Sequence, residues 1–203
     1  MANERQTDTG GLDGIAAAVR DQTGAEGPRG APPVHLWDPP FCGDLDIRIA
    51  ADGTWFYLGS PIGRQPLVRL FASVIKREAD EYFLVTPVEK IGIVVEDAPF
   101  MAVEMRSEAM PSGRRLHFRT NVDDWVVCGA EHIMRFEPEL TSGGLKPYLH
   151  VRRNLWAKVT RALFYDLVEL GCERDIGGER MFGIDSDGLF FPMARADALK
   201  DLT

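Results

Sequence analysis

Arg64, Glu89, Lys90, His150, Arg152 and Arg153 are the residues whose types and spacing best suit chemistry in this 203-residue chain. Arg152 and Arg153 follow an apolar run, Tyr148–Val151, that reads as a strand. They precede an expected helix from Leu155 to about Leu170. Free backbone N–H groups and the helix dipole at such a start attract anions. A cation there costs about 0.3–1 kcal/mol unless something negative is bound. Arg64 stands in the same relation to an earlier expected helix. Guanidinium groups offer a planar fork suited to phosphate or carboxylate. His150 alternates with Arg152 along the strand, so the two share a face, and its imidazole titrates near neutral pH. Glu89 and Lys90 add a polar pair in the turn Thr86–Lys90. These residues point to a pocket between the two halves of the chain that takes a small anionic or phosphorylated ligand. The plainer reading is that each arginine pairs with a carboxylate such as Glu89, Glu96, Asp97 or Asp185, for the chain has 31 acidic residues.

Other chemistries find little support. There is no Gly-x-Ser-x-Gly elbow, phosphate-binding Gly-Lys-Ser/Thr loop, Gly-x-Gly-x-x-Gly or His-Glu-x-x-His. No catalytic residue, cofactor or metal is therefore expected. A hydrolase using His150 as base remains the enzyme alternative, since a triad can assemble from distant residues. Cys42, Cys128 and Cys172 are widely spaced and odd in number, which suits free thiols rather than a disulfide framework. His35, His117 and His132 are isolated. A net charge of −8 argues against nucleic acid as a partner. No apolar run approaches the roughly 18 residues that span a bilayer, and a cytoplasmic location is expected.

The elements that must position these residues can be read from periodicity. Residues 1–33 read as a flexible N-terminal tail rich in Gly and Pro. Leu12, Ile15, Ala16 and Val19 in it fall at helical spacing. A first β-rich domain with a helix is expected over 34–105. Asp46–Ile49 alternates as a strand, Asp52–Gly53 is a hairpin turn, and Trp55–Gly59 returns. Pro66 opens a helix whose apolar face is Leu67, Leu70, Phe71, Val74 and Ile75, with Arg69, Ser73, Lys76 and Arg77 opposite. Strands follow at Tyr82–Val85, Ile91–Val95 and Phe100–Met105. A second β-rich domain with a long helix is expected over 106–203. Leu116–Thr120 and Trp125–Gly129 form a hairpin across Asp123–Asp124. Trp156, Val159, Leu163, Leu167 and Leu170 form the stripe of the long helix, with Asn154 as its N-cap and Gly171 as its left-handed stop. Met181–Ile184 and Leu189–Met193 pair across Asp187–Gly188. The matching order, with Trp125–Gly129 answering Trp55–Gly59, suggests an internal duplication, and the whole reads as an α+β protein of two tandem β-rich domains.

Several strings carry a family resemblance. They are Asp52-Gly53-Thr54-Trp55, Pro61-Ile62-Gly63-Arg64, Leu84-Val85-Thr86-Pro87-Val88-Glu89-Lys90, Val95-Glu96-Asp97-Ala98-Pro99-Phe100 and Pro147-Tyr148-Leu149-His150-Val151-Arg152. In this order, over about Pro33 to Met193, they resemble the bacterial family known as domain of unknown function 1285. The resemblance implies two duplicated β-rich domains, the second superficially like a pleckstrin-homology fold, with a binding site where they meet and a suggested role in signal transduction. It implies no established activity. The first functional expectation is thus a ligand-binding or signalling module. The alternative is a protein-interaction module that needs no small molecule and uses Trp37, Phe41 and Phe100.

Overall fold

The computed structural model describes residues 9–23, 32–111, 113–139 and 143–197. The expected breakers Gly24, Gly27, Pro28 and Gly30 lie outside the described residues. The chain folds as two units that divide between Glu96 and Asp97, with residues 51–53 belonging to the second. A division after residue 105 would fall inside one strand.

Unit 1 is a six-stranded sheet with helices on one face. Its strands are β1 (Phe41–Ile49), β2 (Trp55–Tyr57), β3 (Ser60–Pro61), β4 (Ile75–Glu78), β5 (Glu81–Val85) and β6 (Lys90–Val95), in the order β3-β2-β1-β6-β5-β4. Two antiparallel meanders thus meet at one parallel pair, β1 and β6. Helix α1 (Thr9–Thr23) precedes the sheet and lies against α2 (Gln65–Ser73). Ala16 and Val19 of α1 are buried, as their spacing requires. Pro66 sits in the first turn of α2, and the Arg64 carbonyl accepts from Leu67 and Val68. The buried α2 residues Leu67, Val68 and Phe71 belong to a core shared with Ile47, Ile49, Trp55 and Leu84, and Trp55 stacks on Phe71.

The α2 helix is shorter than its apolar spacing predicts. Val74 closes it, and its carbonyl accepts from Val85 across the sheet. Ile75 then pairs with Leu84 and Lys76 with Phe83, so Lys76 and Arg77 are strand residues. β-branched Val74 and Ile75 favour extended backbone, and pairing with β5 decides between the two patterns.

Unit 2 holds a second six-stranded sheet. Its strands are β7 (Phe100–Met110), β8 (Gly113–Thr120), β9 (Trp125–Cys128), β10 (Met134–Pro138), β11 (Leu145–Arg152) and β12 (Leu155–Val159). They are ordered β10-β11-β12-β7-β8-β9, and β12 and β7 are parallel. This is the topology of unit 1 repeated: two meanders joined by their first and last strands. A third meander, β13 (Cys172–Ile176), β14 (Glu179–Ser186) and β15 (Leu189–Arg195), adds a three-stranded sheet. The chain is therefore an α+β protein of two tandem β-rich domains, each with its own helix.

The duplication lies in the strands and not in the helices. In unit 1, α2 separates the meanders. In unit 2 the helix α3 (Arg161–Glu169) follows the second meander. The tryptophans are not equivalent either. Trp55 lies in the second strand of its meander and is buried, whereas Trp125 lies in the third strand and is 42% exposed.

The long helix expected from Leu155 is replaced by β12 and the nine-residue α3. Leu155, Ala157 and Val159 are buried and alternate with half-buried Trp156 and Lys158, a period of two. Asn154 is a turn residue, and Thr160 holds the helix N-cap position. Gly171 does not have a positive φ. It is needed for space, because a Cβ there would stand 2.1 Å from Cζ of Phe182.

Candidate functional site

The open face of the unit 1 sheet carries a cleft of 760 Å³. Strands β1, β4, β5 and β6 supply it. Its apolar lining includes Phe41, Phe83 and Val94, and its charged lining includes Asp44, Glu78, Glu81 and Lys90. Phe41 is 55% exposed and packs edge-on against Phe83, with ring centroids 6.2 Å apart. Beside the cleft, Val34, Phe83 and Val85 form a small cluster that half-buried Trp37 covers.

Two ammonium groups share one carboxylate on this face. Lys76 Nζ lies 2.7 Å from Glu78 Oε1 and Lys90 Nζ 3.0 Å from Glu78 Oε2. Lys76 also donates to the Trp37 carbonyl at 3.1 Å, and Lys90 lies over the Phe83 ring at 5.2 Å. The pleat accounts for the grouping. Lys76 opposes Phe83, Phe83 opposes Gly92, and Glu78 opposes Glu81, so all project to one side. The hydrogen bonds from Lys76 and then Lys90 hold the Glu78 carboxyl below its ordinary range, against the smaller effect of burial.

Asp44 reaches the same place through an irregular backbone. The β1–β6 register shifts on both sides of Asp44, and Gly43 has a φ of 100°. Its carboxylate lies over Gly92, where a Cβ would stand 2.0 Å from Oδ1. Among the described residues, no hydrogen bond or ion pair engages the carboxylate of Asp44 or Glu81.

Of the six candidate ligand-binding residues, Lys90 alone lines this cleft, and Phe41, named for the interaction-module alternative, lines it too. Glu89 is half-buried in the loop before it, where Thr86 Oγ1 accepts from the Glu89 amide at 3.1 Å. Arg64 is exposed at the N-cap of α2 and pairs with Asp13 at 3.5 Å.

The other three meet within unit 2, around the β11–β12 hairpin. Arg152 and Arg153 do not open a helix, so the dipole argument for an anion there falls away. Arg153 takes a φ of 53° in the two-residue turn. Arg152 binds Asp124 at 2.5 Å and lies 4.8 Å from the centre of the Phe100 ring. His150 Nδ1 lies 2.9 Å from the Glu131 carbonyl, and Nε2 contacts the Arg153 carbonyl. Each ring nitrogen thus faces a backbone oxygen within its own unit, an arrangement that braces the turn. Phe100 is fully buried and cannot serve as an exposed interface residue.

Nearby, Asp97 accepts from Tyr148 at 2.6 Å and from Lys158 at 2.7 Å. Burial and the hydrogen bond to Asp97 push the Tyr148 phenol well above its ordinary value. Burial raises Asp97, but the donors Lys158 and Tyr148 outweigh it and hold the carboxyl below its usual range. Ion pairs were a sound expectation, though the carboxylates differ from those anticipated. Glu96 pairs with Arg48, Asp97 with Lys158 and Asp185 with Arg174.

Reading by motif missed Asp44, Lys76, Glu78 and Phe83. Two signals for them are present: Gly43 inside an alternating run, and Gly92 inside Ile91–Val95. An isolated glycine in a strand marks a bulge or a close approach.

Among the described residues, no helix is long and apolar enough to cross a membrane, and no group of three metal-ligating side chains occurs. No curated protein matches the chain. The crystal structure of a DUF1285 family protein from Silicibacter pomeroyi DSS-3 is similar at 45% identity and a TM-score of 0.81, over 92% of this chain and 97% of that one. Another, from Shewanella baltica OS155, is 33% identical over 62% of this chain and 91% of that one, with a TM-score of 0.49. The model of the DUF1285 N-terminal domain of unknown function matches residues 32–98, and that of the C-terminal domain of the same protein of unknown function matches residues 99–193. With both models matched in tandem, the chain belongs to the DUF1285 family.

Proposed function

We propose that the chain is a ligand-binding module of the kind used in signal transduction, and that its ligand occupies the cleft on the open face of the unit 1 sheet. The observation that carries this reading is the pairing of two lysines with one carboxylate beside a half-exposed aromatic ring. Lys76 and Lys90 are only 20% and 17% exposed, yet they share Glu78 as their carboxylate partner. The Lys90 ammonium, which lines the cleft, holds donor capacity that an acid group on a ligand would take up. Asp44 and Glu81, which also line the cleft, offer carboxylates to a cation. Phe41 and Phe83 offer an apolar surface between.

The chemistry that satisfies all three is a small zwitterion with an apolar body: an acid group toward Lys90, an amine toward Asp44 or Glu81, a hydrocarbon or aromatic part on Phe41. A purely anionic or phosphorylated ligand, the expectation from sequence, suits this cleft less well. It would meet Asp44, Glu78 and Glu81 along with Lys90.

A thermal-shift series tests the proposal. It compares apolar amino acids with the same acids lacking the amine and the same amines lacking the acid. At about 100 times its dissociation constant a ligand adds ~2.7 kcal/mol of stability, roughly 5–10 °C for a chain of this size. A zwitterion should stabilise more than either half-molecule, and Lys90→Ala and Phe41→Ala should each remove the effect. A shift that survives both substitutions, or no shift with any compound, rejects the site.

A second reading has one specific observation behind it. Exposed Trp125 of unit 2 carries the Arg106 guanidinium 4.4 Å from its ring centre. Trp and Arg are the side chains most often central to protein interfaces, so a protein-interaction surface at β9 is the alternative.

A further inference from the structure

Phe41 and Asp44 stand three residues apart on β1, a spacing that sends side chains to opposite faces of a regular strand. Here both line the cleft. Phe41 pairs with Lys90 and Asp44 with Gly92, so Cys42 and Gly43 stand where β6 has Ile91 alone. An extra residue of this kind re-aims the side chain that follows it. The partner strand is shaped to match. Gly92 lies inside β6 without a positive φ, so its backbone does not call for glycine. The space above it does: a Cβ there would stand 2.0 Å from Asp44 Oδ1 and 3.6 Å from Phe41 Cε2. Carboxylate and ring therefore flank one bare stretch of sheet. Glycine weakens a strand interior, so two local preferences are broken at one point to seat one carboxylate. Such departures mark functional places. Glu81, the other carboxylate open to a cation, has no such seat. It lies in the regular β4–β5 pairing, opposite Glu78.

We infer that Asp44, seated over Gly92, is the residue that selects the ligand's cationic group, and that this group is a primary ammonium. The inference rests on the reading of the cleft as a zwitterion site and assigns that site's two ends, with the acid at Lys90 and the amine at Asp44. A carboxylate is an acceptor only. Among the described residues no donor engages that of Asp44, so its partner on a ligand must bring N–H groups. A primary ammonium brings three, in the charge-assisted form that makes short, strong bonds. A quaternary ammonium carries the same charge and no donor. The Phe41 ring beside the carboxylate receives the hydrocarbon that bears the amine. Gly92 is a positioning residue: it acts by letting the Asp44 carboxylate lie low over the sheet.

The test measures affinity by calorimetry on the full chain. The probes are leucine and phenylalanine, each in three forms: the amino acid, the acid lacking the amine, and the N,N,N-trimethyl derivative. The amino acid should bind at least about tenfold more tightly than the other two forms. Asp44→Asn should cut that preference to about twofold or less, with the deaminated acid still binding. Gly92→Ala should do the same by displacing the carboxylate. Its melting temperature should not fall, because the atom its new methyl meets is the free end of an exposed side chain. That combination separates positioning from mere structural damage. A preference kept in Asp44→Asn and lost in Glu81→Gln overturns the inference and leaves the cleft reading standing. A trimethyl derivative that binds as tightly as the amino acid overturns the primary ammonium. A preference that survives Gly92→Ala overturns the role of the glycine. No binding of any probe, or binding that Lys90→Ala and Phe41→Ala leave intact, rejects the cleft and the inference with it.

Discussion

At the scale of single residues, paired charges dominate the predicted site and determine what substitution will do. Arg152 is 17% exposed and bound to Asp124 at 2.5 Å, with its guanidinium over Phe100. Arg152→Ala removes a charge-assisted bond and the packing of the side-chain stem. The expected loss is about 1–3 kcal/mol in urea unfolding, at the low end for a pair whose acid is well exposed. Arg152→Met, which keeps the stem, should cost less. Asp97 gives a pH dependence whose sign is fixed. Its folded value is depressed by Lys158 and Tyr148 despite burial, so its stabilisation is full above the unfolded-state value near ~4. That stabilisation is lost as the pH falls through the lower folded value. Asp97→Asn should be clearly less stable than the unaltered chain at pH 7, with the gap closing toward pH 3. A gap independent of pH would show that the hydrogen bonds matter and the charge does not. Residue types were legible from sequence, since arginines were expected to find carboxylates. The partners were not, because Asp124 and Arg152 come together only through strand pairing across the sheet.

At the scale of elements, the β11–β12 hairpin is the place where local pattern and fold part company. Trp156, Val159, Leu163, Leu167 and Leu170 do recur at helical spacing, but burial over Leu155–Val159 alternates, and an unpaired edge of β7 was waiting for it. A short apolar run is ambiguous by periodicity alone. Non-local pairing settles it, and no window of sequence contains that information. The hairpins at Asp52–Gly53, Asp123–Asp124 and Asp187–Gly188 were legible because their turn chemistry is local. Asp187 and Gly188 both take positive φ, at 51° and 78°. Arg153 offers a direct check on the hairpin. At a φ of 53° an arginine is strained, and Arg153→Gly or Arg153→Asn should raise stability by about 0.5–1 kcal/mol. In a helical first turn glycine would lower it. Circular dichroism melting of the two variants distinguishes the cases.

At the scale of the whole chain, charge and topology set the remaining expectations. A net charge of −8 with arginines engaged by carboxylates or aromatic rings leaves little to hold a polyanion. Gel-shift titration at physiological salt should show no complex with duplex DNA up to about 10 µM protein, a concentration at which many non-specific binders are already retained; a complex at nanomolar protein would contradict it. The repeated topology has a consequence for how the protein is made. In each six-stranded sheet the two central strands are the first and the last to be synthesised. β1 leaves the ribosome long before β6, and β7 long before β12. At about 5–20 residues per second, the earlier strand of each pair waits seconds with its central edge bare. Neither six-stranded sheet can close until translation delivers its final strand, β6 or β12. A pause in translation just before Lys90 or Leu155 would hold open the edge that the nascent chain has most reason to protect.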